Sequence, residues 1–176
     1  KQSGTENQYV LHQEMGKWMT DNVTVIRYND KLKATDKKLL ELMFEVVPAK
    51  RGAILLTDGS DKAGAAEFSS VFALDRLKGP DQPIEVSRTV ARQVLRDGAA
   101  LLIAERDNTV SLEQKSSMDE QTGSVLCVPL VMAGKSLGVL YLDTNEPKVH
   151  FDSDHLQLAS AVASIAAVAI ENARHI

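Results

Sequence analysis

The sequence predicts a mixed α/β (α+β) domain built around antiparallel strands, and three observations point there. Helix-period and strand-like apolar runs alternate along the chain. Two strand-like segments, Ser124–Met132 and Ser136–Asp143, are separated only by Ala133-Gly134-Lys135, which is hairpin spacing. Asp154–Ile176 is rich in alanine, the best helix former. A length of 176 residues fits one domain and can bury a core without disulfides or metal.

Residues 1–34 read as an arm or linker with one short helix, because Leu11, Met15, Trp18 and Met19 recur at i, i+4, i+7 and i+8. Asp21-Asn22 ends it, and the β-branched Val23–Tyr28 reads as a short strand. The domain proper is expected over residues 35–176. Thr35 or Asp36 can cap a helix with Leu39, Leu42, Met43 and Val46 on its apolar face, stopped by Pro48. Gly52–Thr57 reads as a buried strand closed by the turn residues Asp58-Gly59. Phe68–Asp75 alternates, with Phe68, Ser70, Phe72 and Leu74 on one face. Ser87 can cap a helix carrying Val90, Ala91, Val94 and Leu95, with Asp97-Gly98 as its stop. Ala99–Ala104 is another short strand. Glu105–Gly123 is almost wholly polar, and loops of that length are often lids or binding loops.

The hairpin strands are apolar on both faces, so each is expected to lie between two layers. Helices can cover one side; more protein or a ligand must cover the other. Pro129 has no N–H for a ladder and marks an edge or a bulge. The last helix, capped by Asp152 or Ser153, carries two apolar stripes. Leu156, Ala159, Ala163, Ala166, Ile170 and Ala173 suit a sheet face. Leu158, Val162, Ile165 and Ala169 are spaced like a coiled-coil seam, and one sheet cannot easily bury both stripes.

Composition excludes several classes. The formal net charge of -4 gives no basic footprint for nucleic acid. A single cysteine, Cys127, makes neither a disulfide nor a cysteine-rich metal site and fits a reducing compartment, so a cytoplasmic location is expected. There is no uninterrupted run of 18 apolar residues, so no membrane partner is expected. No nucleophile–base order, phosphate loop or carboxylate pair stands out, so no catalytic residue is named and a non-enzyme is expected.

This order of elements resembles the GAF domain. The residues that carry the resemblance are Arg51-Gly52-Ala53-Ile54-Leu55-Leu56, the Val86–Leu95 helix before Gly98, Ser124-Val125-Leu126-Cys127-Val128-Pro129-Leu130, Leu137-Gly138-Val139-Leu140-Tyr141-Leu142-Asp143, Phe151, and Ala167-Val168-Ala169-Ile170-Glu171-Asn172-Ala173-Arg174. The pattern is most similar to GAF domains of bacterial multidomain regulators. It implies a central antiparallel sheet of about six strands, with helices on one face and a small-molecule pocket on the other. It also implies a homodimer through the terminal helices, with Leu158, Val162, Ile165 and Ala169 at the interface. An attached output domain such as a cyclase, kinase or transcription activator is implied too.

The ligand is unknown. Cyclic-nucleotide GAF domains carry an Asn-Lys pair, a Phe and an Asp-Glu; Asn145 and Phe151 match, whereas Glu146, His155 and Leu156 depart. A Glu146–His155 pair could replace the missing Lys–Asp pair with reversed polarity. Bilin-carrying relatives place His after their Cys, and here Val128 follows Cys127. His150-Phe151-Asp152-Ser153-Asp154-His155 has metal-ligand types, but Asp and Ser at a helix start serve capping, so no metal or cofactor is expected. For the pocket the sequence nominates Phe72, Ile103, Arg106, Asp107, Ser116, Ser117, Met118, Ser124 and Cys127, a mostly apolar floor with a few polar groups. Arg106 could grip an anion with its guanidinium fork, and Asp107 could accept from a ring N–H or hydroxyl. The expected function is a small-molecule-sensing regulatory domain; a ligand-free dimerisation spacer is the alternative.

Overall fold

The structure is a computed structural model and describes residues 8–12, 17–18, 30–57, 68, 70–80, 84–103 and 123–174. In chain order these form β1 (Gln8–His12), β2 (Lys17–Trp18), α1 (Asp30–Val46), β3 (Arg51–Leu56), β4 (Ser70–Asp75), β5 (Ile84–Ser87), α2 (Arg88–Asp97), β6 (Leu101–Ile103), β7 (Ser124–Met132), β8 (Lys135–Thr144) and α3 (Ser153–Arg174). The main sheet has five antiparallel strands in the order β4-β3-β8-β7-β6, and β2-β1-β5 form a second, three-stranded sheet. The expected sheet of about six strands is thus five, with β5 assigned to the smaller sheet.

Two apolar layers sandwich the main sheet. On one face, Ile54, Leu56, Phe72, Leu126, Leu140 and Leu142 pack against α1 and α3. On the other, Ala53, Leu55, Ala73, Cys127, Val139 and Tyr141 pack with Val86 of β5 and with Ala91, Val94 and Leu95 of α2. Both-sided burial of the hairpin strands follows. The second layer is protein, and α2 lies on the face opposite the other two helices.

Local chemistry explains most boundaries. The Ser87 hydroxyl accepts the Val90 N–H at the start of α2, and Gly98 ends that helix in the left-handed region at φ 66. The β7–β8 hairpin turns on two residues, Ala133 (φ 53) and Gly134 (φ 76), as a two-residue hairpin with matching right-handed twist demands. β6 pairs only with Val125–Cys127, so Pro129 lies beyond it, and the β7–β8 register shifts at Leu130/Val131. The ends of α1 and α3 are capped by side chains. Arg76, from the turn after β4, donates to the carbonyls of Phe44, Val47 and Ala49 at 2.7–3.1 Å, and its guanidinium lies 4.8 Å over the Phe44 ring. At the start of α3 the Asp152 carboxylate accepts the His155 N–H and the His155 ring nitrogen Nδ1 accepts the Asp152 N–H, both at 3.0 Å. This is a reciprocal capping box with His at the third position.

Several expectations are corrected. Residues 8–12 and 17–18 are strands, not a helical turn: β1 pairs with β5 from Gln8↔Ser87 to Leu11↔Ile84, so long-range pairing overrides the helical spacing. The expected strand Val23–Tyr28 lies outside the described residues. α1 begins at Asp30 and runs across the 34/35 boundary. Asp36 is therefore an interior residue of α1, fully buried, and not its cap. Leu42 is 47% exposed while Leu40 is fully buried, which rotates the apolar face of α1 from the one the spacing gave. By length and a mean hydropathy of 1.4, α3 could cross a membrane, although its alanine stripe packs against the sheet.

Candidate functional site

The face of the main sheet that carries Cys127 holds the unusual chemistry. Pairing sets its side chains in rows across the strands. One row runs Ala73, Ala53, Tyr141, Cys127, Leu101, from β4 to β6. The adjacent row, at the end of the sheet, runs Asp75, Arg51, Asp143, Val125, Ile103. Strand alternation puts both rows on the same side. A buried layer thus ends in a row with two carboxylates around one guanidinium.

Arg51 grips Asp143 with two parallel bonds, Nε to Oδ1 at 2.9 Å and Nη2 to Oδ2 at 3.1 Å. The Asp143 side chain is fully buried, whereas Arg51 keeps 22% of its side chain exposed. Burial pushes the Asp143 carboxyl up to about 6. The Arg51 charge and hydrogen bonds pull it down, Asp75 pushes it up, and Lys50 pulls it down. Asp75 is buried too, and its Oδ1 accepts the N–H groups of Leu77 and Lys78 at 2.9 Å. Burial, then the Asp143 charge, raise the Tyr141 hydroxyl well above its usual range, and the Arg51 charge opposes them. Burial also pushes the Cys127 thiol far up, which keeps it protonated and unreactive.

The nominated residues do not all converge. Cys127 and Ile103 lie in adjacent rows of this face, and Ile103 is 42% exposed at its rim. Phe72 pairs with Ile54 and points to the opposite face, into the layer under α1. Ser124 is also on that opposite face, where its hydroxyl accepts the Phe151 N–H at 3.3 Å. Both residues serve packing on the far side of the sheet from Cys127. Arg106, Asp107, Ser116, Ser117 and Met118 lie outside the described residues. The sequence alone does not single out Arg51, Asp143, Asp75 and Tyr141. The alternation Tyr141, Asp143 was visible, but only strand register sets them beside Cys127 and Arg51.

The Glu146–His155 pair does not form. The third position of α3 turns His155 back onto the cap, where its Nδ1 accepts the Asp152 N–H. Glu146 and His155 border an open cleft of about 580 Å³ beside the end of α1, with Phe44, Lys50, Arg76 and Val149 on its walls. Among the described residues, no three His, Cys, Asp or Glu side chains are placed to hold a metal ion.

Comparison with known proteins agrees with this architecture. The GAF domain family model matches residues 33–170, and the chain belongs to that family. The GAF-B domain of DevS from Mycobacterium smegmatis is similar in fold, with a TM-score of 0.58 at 18% identity, covering 82% of this chain and 96% of that one. The GAF domain/HD domain protein of Geobacter sulfurreducens superimposes with a TM-score of 0.56 at 13% identity, over 86% of this chain and 100% of that one. The GAF domain of a phosphoenolpyruvate-protein phosphotransferase from Coxiella burnetii gives 0.56 at 16%, over 84% and 86%. A stretch of 40 residues is 70% identical to the succinate dehydrogenase flavoprotein subunit of Bacillus subtilis; it spans 23% of this chain and 7% of that protein. GAF domains are sensory and regulatory domains of signalling proteins, generally not catalytic ones.

Proposed function

We propose that this GAF domain is a cytoplasmic, small-molecule-sensing module of a bacterial signalling protein. It dimerises through α3 and passes ligand binding to an attached output domain. The observation that carries this reading is the division of α3 into two apolar stripes. Ala159, Ala163, Ala166, Ala167, Ile170 and Ala173 are buried against the domain's own core. Leu158 (46% exposed), Ile165 (71%) and Val168 (46%) face outward, with Val162 and Ala169 half-buried beside them. A continuous apolar face of this kind is a partner surface. The HD and phosphotransferase names of two structural neighbours support a multidomain setting.

The ligand seat in this reading is the rim of the α2 face, where Arg51 and Ile103 stay accessible beside the buried Asp143. A ligand acts by binding two packings of the dimer unequally, since equal affinity shifts nothing. A ligand-free spacer is favoured by one observation: Tyr141, Phe68, Val86 and Leu95 already fill the same face. Two experiments separate the readings. Light scattering of Val162→Glu with Ile165→Glu is expected to give monomers from a wild-type dimer; an unchanged dimer removes α3 from the interface. A thermal-shift screen with cyclic nucleotides, amino acids and 2-oxo acids is expected to find a selective stabiliser by mass action. An intact dimer with no hit in any class leaves the spacer.

A further inference from the structure

We infer that Arg174 is a positioning residue that ties the last turn of α3 to the end of β3, so that displacement at that end of the sheet is delivered to the helix. The inference rests on the reading of α3 as the helix that carries the signal. Along its middle, α3 meets the core through alanine methyls, whose contacts are non-directional and tolerate sliding. At its last turn the contact is directional. Arg174 Nη2 donates to the carbonyl of Thr57, the residue after β3. Thr57 is itself fixed to β8, since its N–H and its hydroxyl both donate to the Leu137 carbonyl, at 2.9 and 3.2 Å. Arg174 Nη1 lies 3.7 Å from Glu171 Oε1, one turn back on α3. From α1, the fully buried Asp36 acts electrostatically on the same guanidinium; burial raises the Asp36 carboxyl and Arg174 draws it down.

One planar fork of donors therefore touches or faces α1, the β3–β8 end and α3. A guanidinium holds such partners in a fixed geometry, and a partly buried charge resists losing them. The last turn is then held in register with Thr57.

The test is residue-resolved amide exchange on the 176-residue chain, in wild type, Thr57→Val, Arg174→Met and the double variant. Arg174→Met is expected to raise exchange about tenfold at residues 170–174, while amides of the β7–β8 hairpin stay unchanged. Thr57→Val keeps the carbonyl that Arg174 binds and removes only the hydroxyl bond that fixes Thr57 to Leu137, so it is expected to raise the same amides by a smaller factor in wild type and to add nothing once Arg174 is gone, which is the non-additivity of a coupled pair. Additive effects, or an unchanged last turn in Arg174→Met, overturn the inference. If the hairpin amides rise in parallel with the last turn, the cycle is run with Arg174→Lys, which keeps the charge without the fork, and the same additivity decides. A wild-type chain that is monomeric and binds no ligand would overturn the proposed function and leave this coupling standing.

Discussion

The two faces of the main sheet are built differently. The α1/α3 face is dominated by large apolar side chains, with Leu40, Met43, Ile54, Leu126, Leu140 and Phe151 all buried beside the small polar or acidic residues Ser124, Thr144 and Asp36. The α2 face is a smaller layer that buries a thiol, a phenol, two carboxylates and much of a guanidinium. Apolar burial is non-directional and supplies stability, whereas buried polar groups must be paired and so specify geometry. One face holds the domain together; the other keeps chemistry that stability alone does not require.

This contrast can be broken at its strongest point first. Phe151→Ala removes a large buried ring from the α1/α3 face and is expected to cost about 4 kcal/mol in urea denaturation. A loss below about 1 kcal/mol would mean that this face does not dominate stability.

The α2 face should reveal itself through pH. The folded-state value of Asp143, about 6, lies above the value of an unfolded aspartate, about 3.9. The folded state therefore holds this proton more tightly than the unfolded state. The stabilisation is fully present below about pH 4 and is lost as pH rises through about 6, a fall on the order of 2 kcal/mol. Asp36 acts in the same direction, so the comparison with Asp143→Asn isolates the group. Denaturation from pH 4 to 7 should show the wild type losing more stability than Asp143→Asn. Parallel curves would remove Asp143 as the source.

Tyr141→Phe keeps the ring and deletes its buried hydroxyl. A cost of about 1 kcal/mol is expected, far less than for Phe151→Ala. The smallest effect belongs to the outer side of α3. Ile165→Glu, at 71% exposure, should change the unfolding free energy of the monomer by less than about 0.5 kcal/mol while weakening self-association. A large loss of monomer stability would show that this side chain is packed within its own subunit.

Legibility in the sequence followed the range of the interactions. α2 was readable at both ends because Ser87 and Gly98 act within one turn of the backbone they cap. The two stripes of α3 were readable because helical spacing alone sorts Ala163 from Ile165. Asp36 looks like a cap in the sequence, but α1 starts earlier, at Asp30, which makes Asp36 an interior residue, and the packing of the helix buries it. The strands of Phe72 and Ser124 suggest a pocket, but alternation does not say which side of a sheet an odd or even position will face.

The sequence by itself determined the local elements, the hairpin, the caps and the excess of apolar surface on the last helix. These depend on propensity, turn chemistry and periodicity, which act between neighbours along the chain. The tertiary structure alone decided that Arg51 meets Asp143, that Cys127 shares a face with Tyr141, and that Arg174 reaches Thr57. Each of those contacts joins residues far apart in the chain, and strand register and helix docking, not local preference, bring them together.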